Sequence, residues 1–400
     1  MPDNPWSGTP RNAQKPWPES RRILVVRSNA DTTLAAEVGE CEVWVLLSTV
    51  QTVAPDGSVA TVADSAVTLE VDGRMVRISN PDKVFFPATG ATKLDLVHYY
   101  QAVSGPIMRA MGGRPVLLER YPDGAGAKSF FQKRVPKGAP DWLATTEVAT
   151  PNGTTSNALV VEDLAHVAWA VNMGCLGFHV WPYHADDPDH VDELRVDLDP
   201  VPGLGFDEIR AAAHRVHELL DELGIEARPK TTGSKGLHIY ARLAPRWDAY
   251  QVRAAAVALA RELERRHPET ITAAWWKEER GQRVFVDFNQ NAPHKTVFGA
   301  WSARPRVGAQ VSTPLHWDEL DDTDPQTLTI ATVPARLERG GDPWAGMESD
   351  PQDIGVLLGW FQRDLDDGLM DAPWPPVYPK QPNEPPRVAP SRARRDSDPS

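Results

Sequence analysis

Cysteine is scarce in this chain: its 400 residues include two, Cys41 and Cys175, far apart and without a C-x-x-C. A disulfide framework or a cysteine-built zinc site has no material here, and a reducing cytoplasm is the expected compartment. Long apolar runs are missing as well. Nothing approaches about 18 consecutive apolar residues, so no segment is expected to span a membrane, and the polar, proline-rich N-terminus lacks a signal-peptide core. Positive charge is in deficit, with 42 Lys and Arg against 55 Asp and Glu and a net charge of −13. Hydrophobic content of 41% and charged content of 24% are those of an ordinary soluble protein. The length suffices for one large or two modest domains.

The overall acidity argues against a polyanionic partner, but its distribution does not. Between Lys83 and Lys137 nine Lys and Arg face only Asp95, Glu119 and Asp123. Charges more than about 10 Å away are screened at 0.1 M salt, so a local basic region can steer nucleic acid on an acidic protein. A solvated mixed surface would give the same count.

Residues 1–20 read as a disordered tail, and 21–64 as a β-prone extension of uncertain structure. From 65 to about 345 strand and helix patterns mix without a strict βαβ rhythm. A hairpin is expected around Asp72-Gly73, a helix over 94–111, strands in RPVLLERYP and SFFQKR, and a helix-like run over 158–174 before the strand CLGFHVW. Helices follow at 206–224 and from Ala249 to Pro268. A C-terminal helix falls within 346–372, and eight prolines in 373–390 mark the 373–400 segment as an extended or disordered tail. The fold class implied is α+β, with mixed, largely antiparallel sheets flanked by helices.

The most informative stretch is ELRVDLDP, 193–200. Asp197 and Asp199 lie two apart in an apolar-alternating run, which on a strand puts both on one face, roughly 6–7 Å apart. Carboxylates so placed repel unless a cation sits between them, and divalent ions take carboxylate oxygens. Asp287, in the strand-like RVFVDF, supplies a third carboxylate, as a two-metal phosphoryl-transfer site needs. A strand-end acidic pair could instead cap the next helix, but Asp207 is better placed for that. D-x-D also occurs in sugar-nucleotide glycosyltransferases, so the motif fixes metal and phosphate more firmly than reaction.

KTTGSKGLH, 230–238, joins two strand-like runs. Thr232, Ser234, Lys235 and His238 offer donors and charge, and the glycines allow an anion-binding turn of the backbone. It lacks the P-loop spacing, and alone it reads equally as an exposed hairpin. His179 sits on an apolar run and by itself suits a core position. Arg280, Arg283, Lys295 and Arg304 flank Asp287, and arginine geometry matches phosphate oxygens. Phe130 and Phe131 between Lys128 and Lys133 mix aromatic and basic residues as a base-stacking platform does, or as a buried strand does.

In order, NPDKVFFP, TKLDLVHYY, RPVLLERYPDG, SFFQKRVPKGAPDW, GFHVWP, DELRVDLDP, KTTGSKGLHIY, RVFVDFNQN, the KT at 295–296, the SAR at 302–304 and STPLHWDEL resemble the polymerase module of bacterial DNA ligase D, within the archaeo-eukaryotic primase superfamily. The likeness runs from about 68 to 340. No ligase K-x-D-G motif or nuclease segment is present, so a stand-alone primase-polymerase form is expected.

The resemblance implies metal-dependent, template-directed nucleotidyl transfer in DNA repair by non-homologous end joining. It further implies primer extension or gap filling at broken ends, two Mn2+ or Mg2+ ions, and nucleoside triphosphates with ribonucleotides favoured. It makes Asp197, Asp199 and Asp287 catalytic metal ligands. Thr232, Lys235, His238, Arg304 and His179 become nucleotide contacts. Lys83 and Lys93 become grips on a 5′-phosphate, Phe130 and Phe131 base-stacking aromatics, and Arg120 and Arg280 DNA-side cations. Thr232 replaces the usual serine. Glu119 stands where a second basic residue is common, which weakens the expected phosphate grip there. DNA, a separate ligase and an end-binding protein are the expected partners of a monomer at the nucleoid. A catalytically silent DNA-end-binding module is the alternative, although an intact acidic triad would only repel DNA.

Overall fold

The strand Val191–Asp199 is buried along most of its length, and its two faces differ in kind. Leu194, Val196 and Leu198 share one core with Ile209, Ala213 and Val216 of helix Phe206–Glu222 and with Val252, Ala256 and Leu259 of helix Ala249–Arg266. The alternate positions, Glu193, Arg195 and Asp197, are charged and buried. A period-2 element enclosed on both sides thus carries an apolar row and an ionic row.

In this computed structural model residues 66–387 are described throughout. Before them, only the backbone of the strands Thr33–Val38, Cys41–Leu46, Ser48–Val53 and Val59–Asp64 is described. The tail expected at 1–20 lies outside the described residues, as do 388–400. Within the stretch read as a β-prone extension, Cys41–Leu46 pairs with Ala66–Val71, which turns at Asp72-Gly73 into Arg74–Ser79. Both turn residues have positive φ, 48° and 73°, as a tight hairpin turn requires.

Two larger sheets follow, beside two-stranded pairings of Ser48–Val53 with Val59–Asp64 and of Val84–Phe86 with Ala91–Thr92. One orders Thr145–Ala149, Thr155–Val160, Pro115–Arg120, Cys175–Val180 and Val297–Phe298, with Phe130–Gln132 also on Pro115–Arg120, all antiparallel. The other orders Arg228–Thr231, Leu237–Trp247, Val191–Asp199, Val284–Val286 and Ile271–Thr272, only the last pair being parallel. The α+β expectation holds. Among the described residues no helix is long and apolar enough to cross a membrane.

Three sequence expectations need correction. The helix over 94–111 is two, Lys93–Ala102 and Ser104–Met111. Pro106 has no N–H for the carbonyl of Ala102, so the first helix stops and proline sits in the first turn of the next. The run over 158–174 is a strand, Thr155–Val160, then a helix, Leu164–Asn172, capped by the Asp163 side chain. Residues 373–387 have neither helix nor strand, yet they are packed rather than loose: Trp374 and Tyr378 are buried against Ala292. The C-terminal helix itself is Gly355–Asp366.

The basic field counted between 83 and 137 also shrinks on folding. Arg114 is buried and bonds Asp192 at 2.7 Å, and Lys93 is buried as well.

Val284–Val286 pairs with the central strand only at Leu198 and Asp199. Beyond that the strand edge is closed by a side chain: Asn291 Oδ1 accepts from the Arg195 amide (2.9 Å), and Asn291 Nδ2 donates to the Arg195 carbonyl (2.7 Å). Asn291→Ala strands two buried backbone groups and is expected to destabilise the fold by about 2–4 kcal/mol, read as a lowered midpoint in urea. An unchanged midpoint would mean that water closes the edge equally well.

Candidate metal and nucleotide site

The antiparallel ladder sets the site. Asp197 lies opposite His238, and His238 opposite Lys230, so a carboxylate, an imidazole and an ammonium come side by side across three strands. Asp287 enters where Val284–Val286 ends, its amide donating to the Asp197 carbonyl at 2.8 Å. A 3₁₀ turn, Phe288–Asn291, then folds back on it. The Asn289 amide donates to Asp287 Oδ1 (3.0 Å), and Gln290 Nε2 donates to Oδ2 (2.9 Å). One oxygen each from Asp197, Asp199 and Asp287 lies within 4.8 Å of the others.

Such a cluster is electrostatically unstable alone. Burial raises Asp197 and Asp199 to about 6 and Asp287 to about 7, and mutual repulsion adds to the last two. Asp197 Oδ1 is buried without a hydrogen bond; His238 Nε2 lies 3.2 Å away but out of alignment. Burial, with Lys230 and Arg304 nearby, pushes His238 well below its ordinary range, so it is neutral. An orphan carboxylate oxygen among three converging acids is what a divalent cation satisfies, and an all-oxygen donor set suits a hard ion.

The adjoining cleft, about 380 Å³, is lined by His179, Asp197, Asp199, Thr232, Lys235, His238 and Arg304, with Ser234, Gln290 and Phe298. It opens between the two sheets. The turn at 232–236 is wound around Thr232, whose Oγ1 accepts from the amides of Ser234 and Gly236, both at 3.2 Å. Those two amides therefore do not face an anion, contrary to the simplest reading of a glycine turn. Gly236 is required: a Cβ there would sit 2.7 Å from the Leu198 carbonyl oxygen. Arg304 lies over the Phe298 ring at 4.2 Å, and burial lowers its pKa.

His179 is no plain core residue. Its Nε2 lies 3.1 Å from Glu119 Oε2, and its ring meets Phe131 and Phe298 edge-on at 5.3 and 5.2 Å. Glu119 Oε1 also accepts from the Tyr121 hydroxyl at 2.9 Å. Glu119 thus holds a cleft histidine, a job that sequence reading did not give it. Lys230 was missed too. It is fully buried, its Nζ donating to the Phe298 carbonyl (3.1 Å) and Ser312 Oγ (2.7 Å); burial, with Arg304 nearby, pushes its own pKa well below the usual lysine range, and in its charged form it opposes the rise at Asp197. Its short strand, Arg228–Thr231 (RPKT), carries no apolar pattern that would have marked the lysine as buried.

The residues expected to meet DNA do not line the cleft, although Phe131 borders it through His179. Phe130 and Phe131 are exposed, and Arg120 lies over Phe130 while donating to the Met173 carbonyl. Arg280 stacks on Phe285 at 3.5 Å and adds positive potential at Asp199 and Asp287. Lys83 pairs with exposed Asp123. Lys93 is turned inward, its Nζ on the carbonyls of Ser79 (2.6 Å) and Asn172 (3.2 Å), and burial lowers it to about 8.

Comparison with known proteins matches this arrangement to one family. Residues 92–344 fit the model of the LigD primase-polymerase domain. The chain belongs to that family. It is 33% identical over 310 residues to the multifunctional non-homologous end joining protein LigD of Mycolicibacterium smegmatis, covering 77% of this chain and 40% of that protein. Identity to the bifunctional LigD of Bacillus subtilis is 31% over 280 residues, covering 70% of this chain and 45% of that one. The polymerase domain of Mycobacterium tuberculosis ligase D, solved in complex with DNA, superposes with a TM-score of 0.64 at 32% identity, covering 69% of this chain and 98% of that one. The chain spans roughly two fifths of the full length of these curated LigD relatives.

The raised carboxyls make the metal-free protein pH-sensitive in a defined direction. A carboxyl whose pKa is higher folded than unfolded stabilises the fold below the unfolded value, about 4, and that contribution is lost as pH climbs through the folded value. Metal-free protein should therefore lose stability from this site between pH 4 and 7. Asp287→Asn should restore on the order of 1–3 kcal/mol at pH 7.5, read as a higher melting temperature without metal. A lower melting temperature at pH 7.5 would contradict the electrostatic account.

Proposed function

We propose that this protein catalyses metal-dependent, template-directed nucleotidyl transfer on DNA, extending primers or filling short gaps at breaks. The convergence of three carboxylates from two strands beside a cationic cleft carries this reading. Asp197, Asp199 and Asp287 would hold two divalent ions, Mn2+ or Mg2+. When bound, these would supply charge neutralisation at the attacking and leaving oxygens of an in-line displacement.

The chain's own groups do the rest. Lys235 and Arg304 meet the triphosphate, Arg304 with its plane fixed by Phe298, and neutral His238 serves as a donor at the cleft wall. Glu119, held by Tyr121, fixes the His179 ring against the nucleotide, and ribonucleotides are the favoured substrates. Exposed Phe130 and Phe131 offer ring faces to unpaired bases. Arg280, beside two of the acids, faces the primer side. Lys83 is placed to exchange Asp123 for a DNA phosphate. The inward-turned Lys93 reaches a 5′-phosphate only by leaving its carbonyls, so the grip is assigned first to Lys83. DNA ends are the macromolecular substrate, and a ligase and an end-binding protein would be separate partners of a nucleoid-associated monomer.

With primed DNA, each NTP or dNTP and Mn2+, the wild-type protein is expected to extend the primer. Asp197→Ala should reduce extension by at least about a thousandfold while DNA retention in a gel-shift assay persists. Extension retained by that variant would end the metal-centred mechanism, and DNA binding without extension by the wild type would favour an end-binding module. Glu119→Ala should raise the nucleotide KM roughly 3- to 10-fold with kcat little changed, and Glu119→Gln should recover most of it. A change confined to DNA affinity would instead place Glu119 at the phosphate backbone.

A further inference from the structure

The proline-rich segment after residue 370 lies beyond the family match at 92–344, and the catalytic reading gives it no task. The structure does. Arg253, buried on helix Ala249–Arg266, donates in four directions. Its Nε reaches Asn289 Oδ1 (2.8 Å), Nη1 reaches Asp371 Oδ1 (3.0 Å), and Nη2 reaches the carbonyls of Ala372 (2.9 Å) and Pro373 (3.3 Å). Trp374 stacks on that guanidinium at 3.8 Å, and its Nε1 donates to Asp371 Oδ2 (2.8 Å). Asn289 Nδ2 donates onward to the Pro373 carbonyl at 3.1 Å. Further along, the Tyr378 hydroxyl donates to the Pro293 carbonyl at 2.5 Å, and Trp374 and Tyr378 enclose Ala292. Buried Glu384 closes the loop by accepting from the amides of Trp374 and Gln381.

Besides Arg253 and Tyr250 of the neighbouring helix, this segment grips the turn that aims the third carboxylate. Asn289 gives its amide to Asp287 Oδ1, while its side chain is fixed between Arg253 and Pro373. Ala292 and Pro293 form the exit of the same turn. A short 3₁₀ turn has weak hydrogen bonding of its own, so outside contacts fix its geometry.

We propose that residues 371–384 are a clamp that positions Asp287 for metal binding, with Trp374 and Tyr378 as positioning residues. This rests on the metal reading of the triad. Groups that orient a metal ligand typically cost about 10- to 100-fold in metal affinity when lost.

The test uses the full chain without DNA or nucleotide and measures Mn2+ binding directly, by the loss of the free-ion electron paramagnetic resonance signal. Trp374→Ala is expected to weaken Mn2+ binding about tenfold, and Tyr378→Phe, which keeps the ring and loses the bond to Pro293, by a smaller factor of about two to five. Gel-shift affinity for DNA should stay at the wild-type value in both. Should Trp374→Ala fail to fold, Tyr378→Phe decides alone. Folded variants with wild-type Mn2+ affinity would overturn the clamp, as would a loss of melting temperature alone. Wild-type protein that binds no Mn2+ would defeat the metal reading itself, a result distinct from binding that the variants leave unaltered.

Discussion

Three acids with one oxygen each within 4.8 Å of the others, Asp197 buried, Asp287 half-buried and Asp199 at the exposed edge, are the constraint to which the rest of the molecule answers. Like charges at that separation and low polarity raise one another's pKa, and the fold bears that cost. The surroundings offset it with positive charge placed at fixed positions. Lys230 sits two strands away in register, Arg304 is held over Phe298, and Arg280 is stacked on Phe285. None of these three forms a close ion pair with the triad. They lower its charge cost at a distance and leave its oxygens open.

The ionic row of the central strand extends the same logic away from the site. Glu193 bonds Arg195 and Arg242, and Asp192 bonds Arg114 and Arg242, so the charges next to Asp197 along the strand are mutually neutralised. Pairing holds both acids below the ordinary carboxylate range, the opposite of the triad. Along one strand, acids with arginine partners are structural and acids without them are available to metal. Truncating one partner of such a buried pair is costly because the other charge remains buried, which ties the site's geometry to the integrity of the strand.

Much of this was readable from local pattern. The D-x-D on an alternating strand, the third acid on another strand, the Gly-Ser-Lys turn and the basic-aromatic segment each follow from short-range periodicity and residue chemistry, and their order carried the family likeness. Failures came where a residue's task is set by a distant partner. Glu119 reads as a misplaced acid until His179 and Tyr121 are beside it. Nor does local pattern foretell that folding turns Lys93 toward the carbonyls of Ser79 and Asn172. Composition marked 373–387 as loose because proline forbids regular structure, yet proline does not forbid packing, and Arg253 and Trp374 supply it.

By itself the sequence determined which residues could carry charge, which strands alternate, and which glycines and prolines interrupt, because these depend on neighbours within a few positions. Tertiary structure alone decided which charges were to be neutralised and which left open. That choice depends on register across strands and on burial, and both are set by residues tens to hundreds of positions apart.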